Sequence, residues 1–463
     1  MSLPTPDPKR WAALALLCAA QFIVILDTSI IGVALPAIQA DLGFTDAGLS
    51  WIFNAYVVAV GGLLLLGGKL ADVFGARRIF LTGFGLLTAA SLVAGLAGSQ
   101  SVLLAGRALQ GVGAALIAPA ALTILMRLFG ARPAELGRAF GFWGASAAAG
   151  GTAGVFLGGV ITEWASWSWT FLVNVPLGLA VLALGPSVLR AVPGTKGRIG
   201  LLDGALVTGA IVAAVYAIVT GDAAGWTSAR TLSLGAAAIV LLGAFLGLQA
   251  TSRAPLLPLR LFRAPGLAAG NLVMALLGAA WIPLWFFLNL HLQQGLGLSA
   301  FGSGLALLPM TLVIMLVMVK VTGPLVGRFG VKPVMVTGLL ALTGALGLLA
   351  AMPADGSYLA SVLPASLVAA LGMALAYIPA TMTGMGGAAP EDTGLASGLI
   401  NTTYQVGSAL GLAVMVSVAS AGTGATAGYA AAFLGAAVAG LLASLAALVL
   451  VRGESRAADV PVG

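Results

Sequence analysis

The sequence predicts an all-α polytopic membrane protein with fourteen transmembrane helices. Of its 463 residues, 60% are hydrophobic and 8% are charged, whereas soluble domains carry roughly 25% charged residues. The apolar runs are long and do not alternate with polar residues, which favours helices over the roughly ten-residue strands of a membrane barrel. This composition excludes soluble enzymes, nucleic-acid-binding proteins and secreted disulfide scaffolds.

Each predicted span is an apolar run bounded by charges or by Gly and Pro clusters, and roughly 20 such residues cross a bilayer. The first run follows Lys9 and Arg10 and resembles a signal peptide, but apolar sequence continues to Pro36. We therefore expect a first span that stays attached. The predicted spans cover residues 12–36, 49–68, 78–98, 102–126, 137–161, 168–189, 202–221, 231–250, 266–291, 302–322, 333–352, 358–380, 395–419 and 428–451.

The loop charges predict the orientation of these spans. Nearly all Lys and Arg residues of the loops fall on one side, with Arg230 as the exception, while Asp41 and Asp355 lie on the other side. The positive-inside rule makes the Lys and Arg side cytoplasmic. We therefore expect a multi-pass plasma-membrane protein with both termini in the cytoplasm, and the net charge of +7 needs no nucleic-acid partner.

Two sequence segments recur at nearly equal spacing along the chain. The loops at 68–78 and 323–332 both fit G-x-L-x-x-x-F-G-x-[RK], and the segment at 119–123 matches the one at 379–383. Duplicated halves around a central site are the architecture of secondary transporters. The predicted division is a six-helix bundle at 1–190, an inserted two-helix linker at 191–264 that holds spans 7 and 8, and a second six-helix bundle at 265–463.

At these residues the chain resembles the major facilitator superfamily, and in particular its fourteen-span drug:proton antiporters. The segment at 68–78 resembles the family's signature loop, and those at 26–36, 107–113 and 167–176 are similar to its motifs in spans 1, 4 and 6. Three departures stand beside these matches. The fifth-span motif at residues 154–159 lacks its usual proline, Gly32 stands where Asn is common, and Ser168 stands where Arg is common.

The resemblance implies the major facilitator fold and proton-coupled efflux of lipophilic or amphipathic drugs or antibiotics by alternating access. The implied partners are a small-molecule drug or metabolite, protons and the lipid bilayer, and the implied functional unit is a monomer. We expect no cofactor beyond the proton motive force, because no G-x-x-x-x-G-K-[ST] nucleotide loop is present. The single histidine, His291, and the single cysteine, Cys18, exclude a His-rich metal cluster and an intrachain disulfide.

Three alternative functions stay open at this point. The first is export or import of an endogenous metabolite by the same kind of transporter. The second is a polytopic membrane enzyme acting on a lipid-linked substrate, which needs clustered acids or histidines at one interface, and the sequence shows no such cluster. The third is a passive channel, although channels usually form from repeated subunits around a pore.

Asp27 and Arg107 are the candidate proton-coupling residues. Asp27 is the carboxylate that the predicted spans place in a membrane core, where an ionised acid is costly and marks a functional site by default. It could load a proton from outside and release it inside. Arg107 stays protonated, so it needs a partner, a cavity or the headgroup region. Three roles are left open for Arg107. It could pair with Asp27, tune the pKa of Asp27, or snorkel to the outer interface.

The loop at 68–78 carries a candidate conformational latch. Glycines allow close backbone approach, and a carboxylate near a helix N-terminus is stabilised by the helix dipole and by a nearby Arg. Such contacts would hold the cytoplasmic side closed, and the alternative is a plain turn with topology-setting charges. The second copy has Gly327 in place of the acid, so we expect an asymmetric latch. Its residues are Gly68, Asp72, Gly75, Arg77 and Arg78.

Small residues in span 5 form a candidate packing and hinge face. Gly150, Gly154 and Gly158 recur at every fourth position, which places them on one helix face, and Gly159 follows. Small residues at such spacing allow close helix packing in membranes. In the resembling family this face is a hinge and leak seal between the halves, and plain packing is the alternative.

The candidate substrate cavity is a set of polar and aromatic residues in the spans of both halves. Aromatic walls with a few polar groups suit an amphipathic ligand, although each residue could equally be packing or interface belt. Lys320 is expected to snorkel toward the inner interface rather than line the cavity, and His291 to be solvated at the outer interface rather than titrate with the proton cycle. The cavity candidates are Asn54, Tyr56, Gln110, Trp143, Trp281, Phe286, Asn289, Tyr377, Asn401, Tyr404 and Gln405.

Overall fold

The fold is known from a computed structural model that describes most of the chain. The described residues are 8–129, 133–191, 194, 200–252, 255–263, 266–353, 356–385, 393–421 and 425–451. Within them, 14 helices are long and apolar enough to cross a membrane, and no strand occurs. The prediction of an all-α, fourteen-span protein is confirmed.

The observed helices define the spans used below, numbered 1 to 14 in chain order. They are Arg10–Leu42, Trp51–Phe74, Ala76–Gly95, Gln100–Phe129, Arg138–Trp164, Ser168–Val188, Leu201–Gly221, Ala229–Thr251, Leu267–Gly295, Ala300–Phe329, Val331–Ala350, Tyr358–Met385, Leu395–Ser420 and Ala427–Leu450. Short helices at Asp46–Leu49 and Leu259–Arg263 lie in connections.

Several helices extend beyond the predicted apolar runs. Span 1 has 33 residues and contains Pro36 within the helix. At about 1.5 Å per residue it is about 50 Å long, against a hydrocarbon core of about 30 Å. Hydropathy identifies the part of a helix that lies in the hydrocarbon, so it misses the helical turns that continue into the interfacial regions.

The two repeated loops adopt the same backbone turn. Gly75 separates spans 2 and 3 with φ 91°, and Gly330 separates spans 10 and 11 with φ 86°. Side chains other than glycine rarely adopt positive φ. The shared glycine of the two motifs is therefore required by the turn that reverses the chain at this end of the molecule.

The helices of the first six spans and of the last six pack in matching pairs. Span 1 packs against spans 5 and 6, and span 9 packs against spans 13 and 14. Span 3 packs against span 4, and span 11 packs against span 12. The predicted domain boundaries near residues 190 and 265 stay predictions.

The halves meet tightly at one end of the bundle. We call the end that carries Lys69, Arg77 and Arg328 the basic end, and the other the opposite end. At the opposite end the Gln293 side chain of span 9 donates to the Val33 carbonyl at 2.9 Å, and Gln294 donates to Gln39 at 2.9 Å. The structure is therefore a conformation in which the opposite end is closed.

Candidate functional site

A buried polar network surrounds Asp27 in span 1. Neither Asp27 nor Arg107 is accessible to solvent, and Arg107 Nη1 lies 3.0 Å from Asp27 Oδ2. The other carboxylate oxygen accepts hydrogen bonds from Gln110 Nε2 at 2.8 Å and Asn174 Nδ2 at 2.6 Å. Each of these contacts is donated to the carboxylate, which fits its ionised form.

The Arg107 guanidinium is held from several sides. Its Nε donates to the Ile52 carbonyl at 2.9 Å, and Nη1 also donates to Gln110 Oε1 at 2.9 Å. The guanidinium carbon lies 4.5 Å from the centre of the Tyr56 ring and 5.9 Å from that of Phe171, which are cation–π distances. Arg107 Nη2 is buried and has no hydrogen-bond partner among the described residues.

Local sequence explains how span 4 reaches this position. Arg107 and Gln110 are three residues apart and therefore share one helix face. Gly111 brings span 4 against span 2, because a Cβ at this glycine would lie 2.4 Å from the Tyr56 carbonyl oxygen. Gln110 Nε2 also contacts Ser91 Oγ at 2.8 Å. Spans 1, 2, 3, 4 and 6 thus all contribute to one charged centre.

Several members of this network were not predicted from the sequence. Asn174 and Phe171 lie inside the motif at residues 167–176. The available signal was a polar Asn at the start of an apolar run in that motif. Ser91 carries no such signal, because a serine in an apolar helix commonly bonds to its own backbone. Tyr56 and Gln110, expected in the substrate cavity, instead contact the ion pair.

A second buried acid lies at the end of a span rather than in a span core. Asp203 lies in the first turn of span 7, is 8% exposed, and accepts a hydrogen bond from Gln249 of span 8. No role was predicted for Asp203 from the sequence. Its side chain packs beside Gly200 and is bonded by Gln249, so these contacts lie within or next to the inserted pair.

The candidate latch residues lie at the basic end, on the turn between spans 2 and 3. Asp72 and Arg78 are exposed, and Arg77 is partly buried. The Gly194 backbone packs onto this turn, since a Cβ there would overlap the Val73 carbonyl oxygen. Gly194 thus contacts this turn, while Asp72 and Arg78 on the turn stay exposed.

The span 5 glycines divide between two partners. Cβ atoms on Gly150, Gly154 and Gly158 would lie within 3.0 Å of span 1 atoms. Gly159 faces the second half instead, where a Cβ would lie 2.9 Å from the Ala300 carbonyl oxygen of span 10. The regular series therefore packs within the first half, and its neighbour Gly159 is the residue at the boundary between halves.

The remaining cavity candidates differ in their burial and contacts. Tyr377 and Tyr404 pack edge to face at 5.7 Å, and the Gln405 side chain packs beside Gly61. Trp281, Phe286, Asn54 and Asn289 are buried, Trp143 is partly buried, and Asn401 is exposed.

His291 differs from the solvated interfacial residue that the sequence predicts. It is 5% exposed and packs edge-on against Tyr429, with ring centres 6.1 Å apart. Lys320 lies on a π-helical turn, Met318–Thr322, and is exposed near the basic end.

Residues 17–412 match the Major Facilitator Superfamily. The chain belongs to this family. It is accordingly a membrane transporter and not an enzyme, and the family resemblance drawn from the sequence motifs is confirmed.

Family members of known name resemble the chain over most of its length. A cephamycin export protein from Amycolatopsis lactamdurans is 42% identical over 417 residues, which cover 89% of this chain and 85% of that protein. A puromycin resistance protein from Streptomyces alboniger is 38% identical, with 92% and 84% covered. A crystal structure of an auto-inhibited POT family peptide transporter shares the fold, with a TM-score of 0.69, 18% identity and coverage of 95% and 96%.

Proposed function

We propose that the protein exports lipophilic or amphipathic antibiotics across the plasma membrane in exchange for protons, by alternating access. Two major facilitator relatives named for cephamycin export and puromycin resistance support the substrate class. The observation that carries the proton coupling is the buried Asp27–Arg107 ion pair. We propose that a monomer performs the whole cycle.

The proposed orientation places the basic end and both termini in the cytoplasm. Lys69, Arg77, Arg328 and Lys332 lie at that end, while Arg230 lies at the other. The positive-inside rule favours this arrangement. The conformation described above would then be closed toward the outside.

Protonation of Asp27 would change the contacts between three spans. A neutral carboxyl cannot keep an ion pair with Arg107, and its hydroxyl needs an acceptor where Gln110 and Asn174 now offer amide N–H groups. Spans 1, 4 and 6 would lose contacts that they share through this carboxylate. Proton uptake therefore weakens one conformation of the first half relative to another, which is what coupling requires.

The energies involved are compatible with the proton motive force. Breaking a buried ion pair by removing one charge costs about 3–5 kcal/mol. Moving one charge through a membrane potential provides about 2.3 kcal/mol per 100 mV, to which any pH gradient adds. Arg107 keeps its Ile52 carbonyl contact and its Tyr56 ring contact when Asp27 becomes neutral, which reduces the cost of the protonated state.

The latch residues complete the proposed cycle. Asp72 with Arg77 or Arg78 would hold the cytoplasmic end closed when the outer end opens. In the present conformation the outer end is closed by Gln293 and Gln294 instead. Each end would thus have its own set of polar contacts.

Transport by inverted membrane vesicles tests this function. Vesicles that contain the protein and are acidified inside should accumulate puromycin in the lumen, and an uncoupler should abolish the accumulation. Empty-vector vesicles are the control. Accumulation that persists with the uncoupler would contradict proton-driven export. Puromycin movement that only follows the puromycin concentration gradient, equally in both directions, would favour a uniporter or a channel.

A further inference from the structure

Span 7 of the inserted pair fills the groove between span 2 of the first half and span 13 of the second half. It packs against both spans, and the three helices share one buried apolar cluster. Its members include Ile211, Val215 and Val219 of span 7, Val57, Val60 and Leu64 of span 2, and Ala409 and Ala413 of span 13.

The contact between spans 7 and 2 is interlocked. Thr208 packs directly on Gly62, where a Cβ would lie 2.8 Å from the Thr208 Cβ. One turn earlier, a Cβ on Gly204 would lie 2.8 Å from Leu66 Cδ2. These distances leave no room for a lipid chain between the two helices.

Both ends of the inserted pair are anchored. At the opposite end the rings of Trp51 and Tyr216 lie 5.8 Å apart, and Arg230 donates to the Tyr216 hydroxyl at 2.6 Å. At the basic end Gln249 donates to Asp203 and accepts from the Leu257 backbone N–H at 2.9 Å. This second contact joins spans 7 and 8 to the connection that leads into span 9.

The seam on the other side of the molecule, between spans 5 and 10, lacks such a cover. It is tight at the opposite end, where a Cβ on Gly304 would lie 2.9 Å from the Val155 carbonyl oxygen. Eighteen residues make about five helical turns, so Gly141 lies on the same face of span 5 as Gly159. No heavy atom lies within 4 Å of a Cβ placed at Gly141, and the same holds at Gly323 on span 10.

Among the described residues, no helix packs extensively against both span 5 and span 10 as span 7 packs against spans 2 and 13. Spans 5 and 10 also present exposed apolar side chains near the basic end. These are Phe140, Phe142, Leu316 and Val319.

We propose that span 7 is a fixed cover that closes the seam between spans 2 and 13, so that lipophilic substrates pass from the bilayer to the central site through the seam between spans 5 and 10. This inference rests on the proposed function. An amphipathic compound concentrates in the leaflet before it reaches a transporter, because burial of apolar surface is favourable. A helix that spans the full seam blocks that route, whereas the seam that opens at the basic end faces the cytoplasmic leaflet.

Tryptophan substitution at Gly141 tests the route. No heavy atom lies within 4 Å of a Cβ at this position, so we expect Gly141→Trp to fold and to obstruct the seam. We expect the KM for puromycin in inverted vesicles to rise roughly tenfold with kcat nearly unchanged, because access is impaired and the chemistry of coupling is not. The matched control is Gly243→Trp on span 8, which is exposed with equally open surroundings and should leave both parameters unchanged.

Unaltered KM in Gly141→Trp, or an equal change in both variants, would overturn the route.

A disulfide tests the fixed cover in a Cys18→Ser background. A Cβ on Gly204 would lie 3.6 Å from the Leu66 Cβ, close to the roughly 3.5–4.5 Å of natural disulfides. Oxidised Leu66→Cys/Gly204→Cys protein should transport as fast as the reduced form. Loss of transport that a reductant restores would show that span 7 moves as a gate.

A lipophilic aryl-diazirine probe separates failure of this inference from failure of the proposed function. In phosphatidylcholine liposomes the photolysed probe should label residues 141–145 and leave residues 57–64 and 406–413 behind span 7 unlabelled. Equal labelling of both regions would overturn the cover. This result does not depend on transport, so a protein that carries no puromycin would contradict the proposed function while the labelling still decides the route.

Discussion

The two halves repeat one arrangement of helices but differ in their polar interiors. In the first half, span 4 contributes Arg107 and Gln110 to a charged centre. The matched prolines Pro119 and Pro379 align these positions with Leu367 and Ala370 of span 12. The second half has the same helix packing with apolar side chains at those two positions.

The two signature loops show a similar difference, because the first copy carries an acidic residue that the second copy lacks. Both keep the glycine with positive φ, at Gly75 and Gly330. The first loop carries Asp72 where the second carries Gly327. The glycine turn is thus retained in both copies, and both carry basic residues, whereas the acidic residue occurs in the first copy alone. This contrast supports the proposal that proton coupling takes place in the first half.

The largest expected effect comes from removing one member of the ion pair. Arg107→Met should lower the free energy of unfolding by about 3–5 kcal/mol, because it leaves Asp27 buried without its charge partner. Adding Asp27→Asn should restore most of that loss, since the double variant buries no charge. Thermal unfolding in detergent measures both, with Leu367→Met as the control. Equal stability of the two variants would contradict a coupled pair.

Glycine replacement should have opposite effects in the two halves. Gly111→Ala forces a methyl group against the Tyr56 carbonyl and should destabilise the protein by about 1–3 kcal/mol. Gly344→Ala in span 11 has nothing within 4 Å and should stabilise by about 0.4–1 kcal/mol, because alanine favours the helix. Comparing the two melting temperatures checks this, and a stable Gly111→Ala variant would show that spans 2 and 4 can separate.

The loop asymmetry predicts a kinetic difference. Asp72→Ala should lower the transport rate roughly tenfold, equivalent to about 1.4 kcal/mol, while substrate affinity stays nearly constant. The reason is that the proposed latch would act on conformational change and would not contact substrate. Gly327→Ala, where the space is open, is the matched change in the other loop and should transport normally. Normal turnover by Asp72→Ala would leave the loop as a topological turn.

The smallest expected effect separates two buried serines. Ser91 contacts Gln110, whereas Ser366 donates to the Val362 carbonyl of its own helix. Each Ser→Ala change should cost about 0.5–1.5 kcal/mol of stability. Only Ser91→Ala should also shift the pH profile of transport, because Gln110 contacts Asp27. Identical pH profiles for both variants would place Ser91 outside the coupled network.

Hydropathy and loop charge were sufficient to predict the fourteen spans, because lipid exposure imposes a strong pattern on every helix. The same reasoning identified Asp27, since an acid in an apolar run is rare. It did not single out Asp203, which is buried at the end of span 7 beside the Gln249 side chain of span 8. Tertiary packing of that kind leaves no local pattern in the sequence.

Side-chain partners were harder to predict than the spans. The i to i+3 spacing of Arg107 and Gln110 placed them on one face, but nothing in the sequence showed that face turning toward Asp27. Gly150, Gly154 and Gly158 pack closely against span 1, and their spacing alone could not distinguish span 1 from a span of the second half. His291 similarly lies at a span end, and its burial comes from contact with Tyr429.

In the proposed mechanism, Asp27 couples proton movement to substrate movement. Proteoliposomes allow two measurements on one sample, namely uphill puromycin transport driven by a pH gradient and gradient-free exchange of labelled for unlabelled puromycin. Asp27→Asn should lose the uphill transport and retain the exchange, while Asp203→Asn, which changes the other buried acid, should retain both. Uphill transport by Asp27→Asn at the wild-type rate would contradict the proposed coupling role of Asp27.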